Sequence, residues 1–99
     1  MAEDQSPPLA CSLSAGELAD RGRWLGRLAR RARTVEPDRA GVTVRFAADD
    51  GVEAELRELA VAEAECCPFL TIEVRAGDAE LELRVGGPPE ARPIIDAMF

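Results

Sequence analysis

The chain has no histidine, no lysine and no tyrosine among its 99 residues. The absence of histidine excludes imidazole general bases, imidazole metal ligands and imidazole pH switches. Zinc enzymes and Cys-His hydrolases of the usual kind are excluded with them. The absence of lysine excludes Schiff-base chemistry and the phosphate-binding lysine of Walker-type loops.

Negative charge outweighs positive charge. All 12 positive residues are arginines, and 19 acidic residues give a net charge of −7. This balance argues against general binding of nucleic acids or anionic membranes. No stretch approaches the roughly 20 apolar residues of a membrane span, and the first residues lack the basic and apolar regions of a secretory signal. We therefore expect a cytoplasmic protein whose partners include neither nucleic acid nor a membrane.

The three cysteines are Cys11, Cys66 and Cys67. An odd number of cysteines cannot form a closed disulfide framework, and a reducing cytosol keeps thiols free. The sequence therefore favours a functional or a packing role for these thiols over a disulfide scaffold.

The hydrophobic pattern predicts one α+β domain over 11–99, preceded by a flexible arm over 1–10. Ser14 and Glu17 fit a capping box at the start of the first helix. Apolar periodicity predicts these elements in chain order: helix 15–33, connector 34–40, strand 41–47, helix 51–67, strands 69–75 and 79–85, helix 89–98. The order α-β-α-β-β-α implies a two-layer sandwich, with helices on one face of a small three-stranded sheet.

One segment of the second helix carries residues with distinctive chemistry. On a helical projection, Glu63 falls in the middle of the apolar face, and Cys66 and Cys67 flank that face one turn further on. A buried carboxylate needs a partner, because an unpaired buried charge is costly. Arg21, which falls on the apolar side of the first helix, is one candidate for an ion pair with Glu63.

Two adjacent thiols suit soft ions, with Hg²⁺ as our first expectation and Cu⁺ as the second. Hard ions such as Mg²⁺ would need more oxygen ligands than this segment offers. Cys11 could supply a third sulfur. If the first two helices ran parallel, however, Cys11 would lie about 25 Å from Cys66. Buried cysteines also often act as small apolar side chains, so a packing role for Cys66 and Cys67 remains an open alternative.

The stretch Ala62-Glu-Ala-Glu-Cys-Cys-Pro-Phe69, with Cys11-Ser-Leu before the first helix, resembles a group of small proteins with an E-x-x-C-C-P-F signature. These proteins look typical of high-GC actinobacteria and are associated with heavy-metal and mercury-resistance settings, including tails on metal-responsive regulators. The resemblance covers most of the chain from Cys11 onward. It implies functional roles for Cys11, Glu63, Cys66 and Cys67, and this chain has no DNA-binding helix-turn-helix of its own.

Three hypotheses follow from the sequence. The first is a protein that binds a soft metal or metalloid ion through Cys66 and Cys67, with help from Cys11 and Glu63. The second is a non-catalytic interaction domain, for example a homodimer, in which the cysteines belong to the core. The third is a thiol redox or transfer enzyme, which we rank last because no C-x-x-C and no organic-cofactor motif is present.

Overall fold

A computed structural model describes residues 14–99. The predicted arm over 1–10 and Cys11 lie outside the described residues. The elements are α1 (Ala15–Arg31), β1 (Ala32–Pro37), β2 (Gly41–Ala47), α2 (Asp50–Cys66), β3 (Thr71–Ala76), β4 (Glu80–Gly86), a 3₁₀ turn (Pro89–Ala91) and α3 (Arg92–Met98). The fold is α+β, with a four-stranded antiparallel sheet and three α-helices.

The sheet has the strand order β1-β2-β4-β3, and every neighbouring pair is antiparallel. The three-stranded sheet predicted from the sequence is therefore wrong by one strand. The segment predicted as the end of the first helix and the connector 34–40 contains β1, and the true order is α-β-β-α-β-β-α.

Strand β1 was missed because it lacks the alternation that marks a half-buried strand. Only Ala32 is even partly buried, and Val35, its one large apolar residue, is 44% exposed. The strand is held through backbone pairing with β2, interrupted by a bulge between Ala32 and Thr34. Edge strands held by ladder bonds alone leave little trace in hydrophobic periodicity.

The two central strands supply the centre of the core. Their inward residues form three cross-strand pairs: Val42 with Val85, Val44 with Leu83 and Phe46 with Leu81. All six side chains are at most 5% exposed, as their alternation predicted. The buried residues of the helices join the same apolar cluster, so the helices pack on this face of the sheet.

The opposite face of the sheet is charged. Arg45 bridges Glu36 on β1 and Glu82 on β4, and Arg84 pairs with Asp38 in the β1–β2 turn. Such exposed pairs contribute little each, but opposite charges on neighbouring strands favour the observed register.

The helix termini follow the local sequence. At α1, the Ser14 hydroxyl accepts from the Glu17 amide, and the Glu17 carboxylate accepts from the Ser14 amide, which confirms the predicted capping box. At α2, the Asp49 carboxylate accepts from the amides of Gly51 and Val52. Helix α2 ends at Cys66, two residues before Pro68, because proline cannot continue a helix.

Within residues 14–99, no helix is long and apolar enough to cross a membrane.

Gly41 lies where two strands approach closely. A Cβ atom at Gly41 would lie 1.9 Å from the carbonyl oxygen of Val85 on β4. We expect Gly41→Ala to lower the free energy of unfolding by about 2 kcal/mol or more, because backbone would have to move. Gly22 in α1 has open space around it, so Gly22→Ala is the matched control and should stabilise by about 0.5–1 kcal/mol. Urea denaturation measures both; equal effects would contradict the close approach.

Candidate metal-binding site

The last turn of α2 brings a carboxylate and two thiols into the interior. Glu63 is 3% exposed, Cys66 is 5% exposed and Cys67 is 0% exposed. Glu63 and Cys66 lie one turn apart on the buried side of α2, and Cys67 follows as the residue that caps the helix. The structure therefore brings these three residues together, as the helical projection predicted.

The reactive atoms of the cluster are close to one another. The sulfurs of Cys66 and Cys67 are 3.6 Å apart, and the Cys66 sulfur is 3.8 Å from Oε2 of Glu63. The three ligand atoms all lie within 4.8 Å of one another. A triangle of this size has a point roughly 2.0–2.4 Å from each atom, which is close to common metal–sulfur and metal–oxygen bond lengths.

Arg21 of α1 completes the cluster. Its Nη1 donates to Oε1 of Glu63 and also lies 3.6 Å from the Cys66 sulfur. The predicted ion pair between Arg21 and Glu63 is therefore confirmed. The two carboxylate oxygens have different partners: Oε1 is bound by the guanidinium, and Oε2 faces the thiol of Cys66.

Helices α1 and α2 are antiparallel at this site. Arg21 contacts the C-terminal end of α2, while Trp24, one turn later in α1, donates from Nε1 to Glu55 at 3.1 Å in the middle of α2. The parallel arrangement assumed in the sequence analysis is wrong, because the additional strand β1 reverses the chain once more before α2. The distance argument against Cys11 fails with it, although Cys11 itself lies outside the described residues.

Glu55 and Trp24 were missed as neighbours of the site. Glu55 lies on the flank of α2 next to α1, where the Trp24 indole gives its carboxylate a partner. The Arg21 guanidinium also lies over the Trp24 ring, with its Cζ atom 5.6 Å from the ring centre. An arginine over an aromatic ring is a favourable arrangement. The sequence does indicate this contact, because residues three apart in a helix, such as Arg21 and Trp24, are neighbours on its surface.

The electrostatics of the site favour a neutral Cys66 thiol. Burial raises the pKa of Cys66, the Glu63 carboxylate raises it further, and Arg21 opposes both effects. Burial lowers the pKa of Arg21, but the hydrogen bond and charge of Glu63 outweigh burial and raise it overall. Arg21 therefore stays protonated beside the carboxylate.

The two cysteines differ in their surroundings. Cys66 is a free thiol, whereas Cys67 is bonded in a disulfide, so the expectation that the thiols stay free is wrong for Cys67. Cys67 can act as a second sulfur ligand only after this disulfide is reduced. Arg21 also lines a surface depression together with Glu17, Asp20, Trp24 and Arg27.

No family model, no curated protein and no solved structure matches the chain. The chemistry of the cluster therefore carries the functional argument.

Removing Arg21 should destabilise the protein strongly. Arg21→Met leaves the buried Glu63 carboxylate without its cation, so we expect a loss of roughly 3 kcal/mol in the free energy of unfolding. The control is Arg23→Met, which breaks an exposed pair with Asp20 on the same helix and should cost less than about 1 kcal/mol. The double variant Arg21→Met/Glu63→Gln should recover part of the loss. Additive losses in this cycle would contradict the coupling.

Alkylation of Cys66 should depend on pH in a characteristic way. Because burial raises the pKa of this thiol, its thiolate forms only at a higher pH in the folded protein than in the unfolded chain. We expect the pH midpoint of its reaction with iodoacetamide, read by mass spectrometry, to fall when the chain is unfolded in urea. Equal midpoints in the two states would show that burial does not control this thiol.

Proposed function

We propose that the reduced protein binds a soft metal or metalloid ion through the thiols of Cys66 and Cys67, with Glu63 as a nearby oxygen donor. One observation carries this proposal: two sulfurs and a carboxylate oxygen lie within 4.8 Å of one another at the buried end of a helix. Glu63 is the one buried charged residue among residues 14–99, and it lies in this cluster.

The donor set favours soft ions over hard ones. Two thiolates are the preferred ligands of soft ions, whereas Ca²⁺ takes about 6–8 oxygen ligands. The sequence-based expectations of Hg²⁺ and Cu⁺ belong to this soft class. Cys11 is a candidate for a third sulfur, since the antiparallel helices remove the earlier objection to it.

The position of the cluster on α2 also favours a cation. The C-terminal end of a helix carries a partial negative charge from its unpaired carbonyl groups. Cys66 and Cys67 are at that end, and Oε2 of Glu63 faces the Cys66 thiol because Arg21 binds the other oxygen. An ion placed here would meet the helix end, two sulfurs and an oriented carboxylate.

Burial favours an ion over a larger ligand. Cys66 is 5% exposed and Cys67 is 0% exposed, so the two residues offer little surface to an organic substrate or to a thiol of another protein. Binding without catalysis therefore agrees better with the site than thiol transfer does.

A packing role for the cysteines is the competing explanation, because both belong to the main apolar cluster. In that case the chain would be an interaction domain, and a homodimer stays a prediction that sedimentation can test. Cys66→Ala would then lower stability by about 1–2 kcal/mol and leave ion binding unchanged. A cytoplasmic location stays a prediction that agrees with the need for reduced thiols.

Chelation by two thiols is the decisive property to test. We would add one equivalent of Hg²⁺ to the phosphine-reduced protein in excess glutathione, and read the bound ion by native mass spectrometry. A single thiol loses the ion to glutathione, while a chelating pair retains it. Replacing one of the pair, as Cys66→Ser or Cys67→Ser, should lower affinity by about 10²-fold or more, because the second bond becomes intermolecular.

The matched control is Cys11→Ser, which removes one thiol from the chain and leaves the proposed pair intact. It should retain the ion much better than either variant of the pair. Retention that is equal in Cys66→Ser and in the unmodified protein would contradict the proposal and support the packing role.

A further inference from the structure

We propose that Cys66 is the nucleophile of an internal thiol–disulfide exchange, in which its sulfur attacks the disulfide of Cys67 without any external substrate. This inference concerns the oxidised chain, whereas the proposed function concerns the reduced chain, so the two are tested separately. It follows from a free thiol that lies beside a disulfide sulfur, and from two charged side chains that contact this thiol.

The free thiol and the disulfide are in contact. The Cys66 sulfur is 3.6 Å from the disulfide-bonded sulfur of Cys67. Reacting atoms in near-attack geometries are roughly 3–3.5 Å apart, so the two sulfurs need little movement to react. Adjacent side chains of a regular helix point about 100° apart. Cys67 leaves the α-helical conformation, with φ −131° and ψ 70°, and the adjacent sulfurs meet there.

Burial limits which thiol can attack Cys67. Cys67 is 0% exposed, so a thiol in solution cannot reach its sulfur unless the core opens. Among residues 14–99, Cys66 is the one free cysteine, and its sulfur already touches that of Cys67. In the folded protein, exchange at the Cys67 sulfur is therefore a reaction of Cys66.

Glu63 and Arg21 are placed to assist the attack. The Cys66 thiol donates to Oε2 of Glu63 at 3.8 Å, and Nη1 of Arg21 lies 3.6 Å from the same sulfur. The carboxylate accepts the thiol proton as the sulfur attacks, and the guanidinium stabilises the negative charge that develops. Because Arg21 also binds Oε1 of Glu63, the nucleophile has a base, and the base has a group that orients it.

The exchange rearranges one disulfide and needs no oxidant or reductant. A bond forms between the sulfurs of Cys66 and Cys67, and the existing disulfide bond of Cys67 breaks. The displaced sulfur leaves as a thiolate and takes a proton from solvent, while Glu63 returns the proton of Cys66 to solvent. The sequence has three cysteines and Cys66 is free, so Cys11 is the one residue of the chain that can supply the displaced sulfur. A disulfide between adjacent residues closes a strained ring, so we expect the starting isomer to predominate.

Alkylation of the oxidised protein tests the exchange, because each isomer has its single thiol at a different position. The protein is purified without reductant, treated with iodoacetamide and mapped by mass spectrometry without reduction. We expect a product that is labelled at Cys11 and contains a disulfide between Cys66 and Cys67, because iodoacetamide captures the released thiol. Its rate of formation should not depend on protein concentration. Label at Cys66 alone would overturn the proposal.

The variant Cys66→Ser keeps the disulfide and removes the nucleophile, so it should lose all labelling at Cys11. Labelling of Cys11 at the unmodified rate in this variant would overturn the proposal. Glu63→Gln should slow the labelling of Cys11 by at least about tenfold, because general bases typically contribute about 10²–10⁴-fold. The matched control is Glu55→Gln, which removes a carboxylate of α2 that binds Trp24 and should leave the rate unchanged. Equal rates in the two glutamine variants would overturn the role of Glu63.

Discussion

The ion pair between Arg21 and Glu63 is the interaction on which the arrangement of the site depends. Helix α1 buries only Leu28 fully, so apolar packing alone holds it weakly. A buried carboxylate, in contrast, is strongly destabilising without a cation. The pair therefore ties α1 to the end of α2 and leaves one carboxylate oxygen facing Cys66.

The end of α2 turns this constraint into a chemical site. Helix α2 ends at Cys66 ahead of Pro68, and the Leu70 amide donates to the Cys67 carbonyl as the chain turns into β3. The sulfurs, the carboxylate and the negative end of the helix meet in one small volume. All of these features together would attract a soft cation. A single buried cysteine, in contrast, is explained by packing.

The sheet supports the helices that carry the site but contributes none of the three clustered residues. Its central strands bury the cross-strand pairs that stabilise the core, and its outer face is covered by ion pairs. Strand β1 contributes a ladder of backbone bonds with little side-chain burial. Its main effect on the site is topological, because it reverses the direction in which the chain enters α2.

Short-range information in the sequence determined the capping box at Ser14, the alternating strands, the end of α2 and the burial of Glu63, because each depends on residues within a few positions. Tertiary structure decided the rest. Strand β1 exists through pairing with β2, and the orientation of the carboxylate depends on Arg21, 42 positions away. Helical periodicity also could not predict the distance of 3.6 Å between the sulfurs of Cys66 and Cys67. That distance depends on side-chain rotamers, which core packing selects.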